Sequence, residues 1–247
     1  MPAILRRLAR GTGAHADIHD RSTSIRVMSK TGLASVKAAD DNRKLYAYYQ
    51  DPEGNIHETM YFQGKWGLEA GESDSLVTTA ARSQSSLAAV SFQYDGQTYR
   101  QLFFFTPGGS VKSVKRTGTS VWGDPVTLDI WPAKIDSIAL AACASTEFGI
   151  YGIRIFYANQ YEGCISQLGT RLDGSGLATF GDFANSDDLS GVACSFHKED
   201  SLTYLNLYYR KPQTRRIHQE YQYAGDDPKH WRHSKVTYQP HDSGAKH

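Results

Sequence analysis

Sulfur is scarce in this chain, with three cysteines and three methionines in 247 residues. Cys143, Cys164 and Cys194 are odd in number, so they cannot all pair. No two of them stand in the C-x-x-C spacing of a metal or redox site. Charge of one sign is missing too. The 27 basic residues meet 26 acidic ones for a net charge of +1, which gives no electrostatic reason to expect nucleic acid or an anionic membrane as a partner. No run approaches the roughly 18 apolar residues of a membrane span, so no membrane insertion is expected. The chain has no H-E-x-x-H, no G-x-S-x-G and no phosphate-loop pattern, and its nine histidines are scattered. Neither a metal nor a cofactor is therefore expected. The basic start, Met1 to Arg10, lacks the apolar core of a secretory signal, and the charge becomes mixed at Asp17, Asp20 and Arg21. Together with thiols read as reduced packing residues, this makes a cytoplasmic location the expectation.

What the chain does have is aromatic and glycine residues. The 15 Tyr, 10 Phe and 4 Trp suit pleated surfaces, and the 22 Gly suit turns between short strands. Four short apolar runs read alike: Leu33-Ala-Ser-Val36, Leu87-Ala-Ala-Val90, Leu140-Ala-Ala-Cys143 and Gly191-Val-Ala-Cys194. Each precedes an aromatic run: Leu45 to Gln50, Gln101 to Thr106, Ile153 to Ala158 and Leu205 to Arg210. A turn and a third strand follow, through Glu58, Ser113, Gln167 and Gln219. A tryptophan then opens a fourth strand at Trp66, Trp122 and Trp231, and Leu177 to Phe180 stands in that place in the third unit.

A unit of about 53 residues with four short strands is the pattern of a β-propeller blade. The fold class expected is all-β, a propeller of four-stranded blades forming a single domain over 1–247. The repeats fall at 32–83, 85–136, 137–189 and 190–247, after an irregular or partial blade at 1–31. Dividing the length by the period favours five blades; a four-bladed ring, and a partial ring completed by a second chain in a homodimer, are the alternatives. Cys143 and Cys194 take the place of Val36 and Val90, which marks them as packing residues.

The phrase Tyr48-Tyr-Gln-Asp-Pro-Glu-Gly-Asn-Ile-His-Glu58, followed by Trp66, resembles a blade of the fungal fucose-specific lectins, the orange-peel mushroom lectin family. Ile153-Arg-Ile-Phe-Tyr157 is similar to the same motif. In that family an Arg and a Glu hydrogen-bond the sugar, and a Trp of the adjacent blade packs against its apolar face. The resemblance implies ligand-binding positions at Tyr46, Glu58 and Trp122 for the first repeat and at Leu102 and Ser113 for the second. For the third it implies Arg154, Gln167 and Trp231, and for the fourth Asn206 and Gln219. No repeat keeps all three residue types.

Two functions follow from the resemblance. Incomplete sugar triads on a retained scaffold point to a cofactor-free binder of a small apolar molecule. This would be a hetero-Diels–Alder cyclase of the kind found among propellers similar to these lectins. Such a site needs an apolar pocket and hydrogen-bond donors, and Arg154, Tyr46 and His57 are its catalytic candidates, with Lys112 and Asn206 as further donors. The alternative is a divergent lectin whose partner is a fucosylated glycan.

Overall fold

Every aromatic run becomes the second strand of an antiparallel meander. The computed structural model describes residues 17–19, 24–26, 32–68, 75–128, 132–134, 136–160, 164–185, 191–210, 217–227 and 229–233. In chain order the strands are β1 (Asp17–His19), β2 (Ser24–Arg26), β3 (Ala34–Lys37), β4 (Leu45–Gln50), β5 (Ile56–Phe62), β6 (Lys65–Gly67), β7 (Leu76–Thr78), β8 (Leu87–Tyr94), β9 (Gln97–Phe105), β10 (Val111–Thr117), β11 (Val126–Thr127), β12 (Leu140–Ala144), β13 (Ile153–Ala158), β14 (Cys164–Thr170), β15 (Leu177–Asn185), β16 (Ala193–Glu199), β17 (Leu202–Arg210), β18 (Ile217–Tyr223) and β19 (Arg232–His233).

These strands form a β1–β2 pair and four meanders, β3-β4-β5-β6, β8-β9-β10-β11, β12-β13-β14-β15 and β16-β17-β18-β19; β7 adds to the first by pairing with β5. We call the meanders sheets one to four. Tight hairpins set their register. Gln63-Gly64 and Asp95-Gly96 both have positive φ, at 51° and 84° and at 48° and 70°. That is the twist two-residue turns need to join right-twisted strands. The tryptophans serve the fourth strands unequally. Trp66 lies inside β6 and Trp231 directly precedes β19, whereas Trp122 sits in an irregular segment ahead of the two-residue β11.

The chain divides into two compact units, Met1–Asp129 and Ile130–His247. In the first, sheets one and two pack through Tyr46, Tyr48, Ile56, Leu102, Phe104 and Val114. A β-carbon on Gly32 would stand 2.4 Å from the Ser85 carbonyl oxygen, so only glycine lets the start of sheet one pass this close. In the second, sheets three and four pack through Cys143, Phe148, Phe156, Ile165, Leu205, Leu207 and Tyr209. These residues follow the period-two rule: one face of each strand supplies the packing, the other points away.

Candidate functional site

Strand register assigns the repeat positions. Glu58 stands opposite Tyr48, Ser113 opposite Phe103, Gln167 opposite Phe156 and Gln219 opposite Tyr208. Two residues before each of these aromatics, on the same face, come Tyr46, Gln101, Arg154 and Asn206. The second repeat thus carries Gln101, not Leu102, at the position expected of Arg. Leu102 lies on the opposite face, fully buried in the core with Phe104. A step of one residue turns a strand side chain to the other face, and β9 runs one residue out of step with the spacing of the other aromatic runs. Gln101 donates to Ser113 at 3.0 Å, with its Oε1 meeting no donor among the described residues, and Gln219 donates to Asn206 at 2.9 Å. Asn206 is also bonded to His197 Nδ1 at 2.9 Å.

Between sheets one and two, Tyr46, Glu58 and Trp122 do come together, and two arginines join them. Glu58 is 3% exposed. Its carboxylate takes Arg116 Nη1 at 3.2 Å on one oxygen and Arg100 Nε at 3.4 Å on the other, both from sheet two. The Arg100 guanidinium also lies over the Tyr46 ring, 3.9 Å from its centre. Trp122 meets Tyr48 edge-on at 6.0 Å. Burial, and then the neighbouring Glu58 charge, push the Tyr48 phenol well above its ordinary range. The carboxylate is shared by two buried guanidiniums, a charge-assisted arrangement that fills the cleft with the protein's own partners. Sequence reasoning missed Arg100 and Arg116. Their signal is that they stand opposite each other in β9 and β10, on the face that carries Leu102.

His57 belongs to neither group. It lies on the other face of β5, stacked on Tyr49 at 5.7 Å, with Nε2 on Asp51 at 2.9 Å and Nδ1 on Ser75 at 2.9 Å. Burial acts to raise the Asp51 carboxyl, but the bonds from His57 and Asn55 outweigh it and hold Asp51 below its ordinary value.

Between sheets three and four the polar groups are arranged differently. Arg154 is 4% exposed, and its Nε and Nη1 meet no acceptor among the described residues. Its guanidinium lies 4.2 Å from the centre of the Phe180 ring and 5.8 Å from that of Phe148. Gly169, opposite Arg154 in the ladder, makes the room: a β-carbon there would stand 2.2 Å from Phe180 Cε2 and 2.9 Å from Arg154 Nη1. Burial pulls Arg154 down to about 10, with the Cys143 sulfur acting in the other direction. Gln167 is fully buried; its Oε1 accepts from Trp231 Nε1 at 3.3 Å, and its Nε2 meets no acceptor among the described residues. Trp231 stands edge-on to Phe156 at 5.9 Å. Cys143 and Cys194, both free thiols, share this interface. A hydrogen bond with Cys143, then burial, push the Cys194 thiol well above its ordinary range. Among the described residues, no group of three or more His, Cys, Asp or Glu could hold a metal ion.

The chain is similar to solved lectin structures. One is the Aleuria aurantia lectin, whose structure is described as a six-bladed β-propeller with a novel fucose recognition mode. It is 16% identical, with 87% of this chain and 66% of that one covered and a TM-score of 0.66. Another is SapL1 lectin in complex with α-methyl fucoside, 15% identical over 85% of this chain and 64% of that one, TM-score 0.65. A third is AofleA from Arthrobotrys oligospora, 13% identical over 85% and 58%, TM-score 0.66. The fold is a β-propeller. At these identities the likeness reaches no further than the fold, and the chain spans just under two thirds of the length of the first of these structures. No family model matches the propeller, and no curated protein matches it.

Proposed function

We propose that this propeller is a lectin-like glycan-binding protein whose working site is the cleft between sheets three and four. The observation that carries the reading is the unmatched hydrogen-bonding capacity there. Arg154 and Gln167 are buried and keep donors without acceptors, beside the aromatic plates of Trp231 and Phe180. Buried guanidinium nitrogens with no acceptor are costly, so their retention speaks for a ligand that satisfies them. A pyranose suits such a place because its hydroxyls take directed hydrogen bonds while one apolar face packs on an indole or phenyl ring. Glu58, Arg100 and Arg116 neutralise one another as ion pairs between sheets one and two, which makes that cleft the weaker candidate.

The structural neighbours support the class of ligand, since SapL1 is solved with α-methyl fucoside. The cyclase reading gains no support from this geometry. Tyr46 is covered by Arg100, and His57 is tied to Asp51 and Ser75. We further read the four sheets, with the β1–β2 pair as the start of a fifth, as blades of one five-bladed ring in a cytoplasmic protein.

The test is a glycan array probed with the full chain and with Arg154→Ala. Binding to a defined set of glycans that disappears in a folded variant supports the reading. A folded wild-type protein that retains no glycan overturns it.

A further inference from the structure

The two clefts solve one electrostatic problem in opposite ways. Between sheets one and two, Arg100 and Arg116 come from the second sheet and a carboxylate, Glu58, answers them from the first. Between sheets three and four, the arginine comes from the first sheet of the pair, as Arg154, and Gln167 stands where Glu58 would be. Leu205 and Gln222 hold the ladder positions of Arg100 and Arg116 on the facing sheet. Both are buried, and Gln222 donates to the Asp227 carbonyl. The change from Glu to Gln removes the counter-charge that Glu58 supplies at the equivalent position of the first sheet pair.

Among the described residues, two acids near this interface already hold other partners. Glu147 takes Lys198 and Thr203. Glu220 takes the Tyr209 hydroxyl. The open groups on Arg154 and Gln167 are therefore donors alone, two guanidinium nitrogens and an amide nitrogen. The amide cannot turn its oxygen to the cleft without losing Trp231, because an indole N–H can only donate. A neutral sugar brings hydroxyls, each of which donates as well as accepts. Against a set made only of donors, the hydroxyl protons find no partner.

We infer that the cleft between sheets three and four takes an acidic saccharide, one whose ring bears a carboxylate or sulfate ester that sits against Arg154 and the Gln167 amide, rather than neutral fucose. This rests on the glycan-binding reading above and narrows its ligand. The oxyanion brings acceptors and negative charge, a charge-assisted pairing stronger than that of neutral partners. Trp231 and Phe180 supply the flat apolar surfaces for the ring.

The experiment is calorimetric titration of the full chain with two matched pairs of glycosides. They are methyl β-D-glucuronide against methyl β-D-glucoside, and a sulfated methyl α-L-fucoside against methyl α-L-fucoside. Sodium sulfate is run alone. The expected result is that at least one charged glycoside binds about tenfold or more tightly than its neutral parent. The better of the two charged probes identifies the source of the oxyanion. The preference should vanish in Gln167→Glu, a nearly isosteric change that returns the counter-charge, and binding should be lost in Arg154→Gln.

Neutral glycosides that bind as tightly as charged ones, and lose binding in Arg154→Gln, overturn this inference while leaving the glycan-binding reading intact. A preference that survives in Gln167→Glu overturns it as well. Sulfate alone binding as tightly as the charged glycosides overturns the saccharide class. No heat from any glycoside with a folded wild-type protein overturns both readings. Because Gln167→Glu barely changes shape, the inference stays falsifiable even if Arg154→Gln does not fold.

Discussion

Trp231 fixes the orientation of Gln167: its indole N–H donates to Oε1 at 3.3 Å across the interface between sheets three and four. The amide therefore keeps its nitrogen end unanswered among the described residues. Replacing the indole by phenyl keeps an aromatic plate but frees the amide to rotate. Trp231→Phe should narrow the preference for charged over neutral glycosides by roughly two- to tenfold, the effect of one neutral hydrogen bond. The same paired titrations read it. An unchanged preference in the variant would show that Trp231 does not orient the amide.

Glu58 holds two buried guanidiniums. Removing its charge leaves Arg100 and Arg116 facing each other inside the packing of sheets one and two. Breaking a buried pair this way costs about 3–5 kcal/mol, far more than loss of a surface pair. Glu58→Gln should lower stability by about that amount in urea denaturation. Adding Arg100→Met should recover part of the loss, because one stranded charge goes with it. Additive losses in the double variant would refute the coupling.

Gly169 is needed for space. A β-carbon there meets Phe180 Cε2 at 2.2 Å and Arg154 Nη1 at 2.9 Å. Both are side chains, so they can yield, but only by abandoning their stacked contact. Gly169→Ala should cost roughly 1–3 kcal/mol, as overpacking does, and should weaken glycan binding by displacing the guanidinium. Thermal unfolding together with the array binding checks it; unaltered binding would mean that the stack does not position Arg154.

Asp51 gives the fold an acid-sensitive contact away from the clefts. Bonds from His57 and Asn55 hold its carboxyl below the ordinary value of 3.8. A depressed carboxyl stabilises the folded chain above the unfolded value, and the benefit is lost as pH falls through the folded one. The stability difference between wild type and Asp51→Asn should therefore shrink as pH falls below 3.8. Urea titrations at a series of pH values measure it, and a difference that grows on acidification would reverse the assigned sign.

Much of the architecture was legible in the chain itself. The spacing of Tyr49, Tyr157 and Tyr209, and the small residues around Val36, Val90, Cys143 and Cys194, mark where strands must lie. Alternation along a strand is local chemistry, so the repeats appear as four-stranded sheets. The grouping of Arg154, Gln167 and Trp231 was legible for the same reason, since equal positions in a repeat occupy equal places in a blade. The register of β9 was not: Leu102 and Gln101 differ by one step along the chain but by a whole face of the sheet, and only packing against Tyr46 and Tyr48 selects between them. Nor could the chain alone show that Arg116 answers Glu58 from 58 residues away, or that Phe180 lies on Arg154. Those contacts form across stacked sheets and across an irregular step in the β14–β15 ladder. There, side-chain packing and charge, rather than sequence spacing, decide which groups meet.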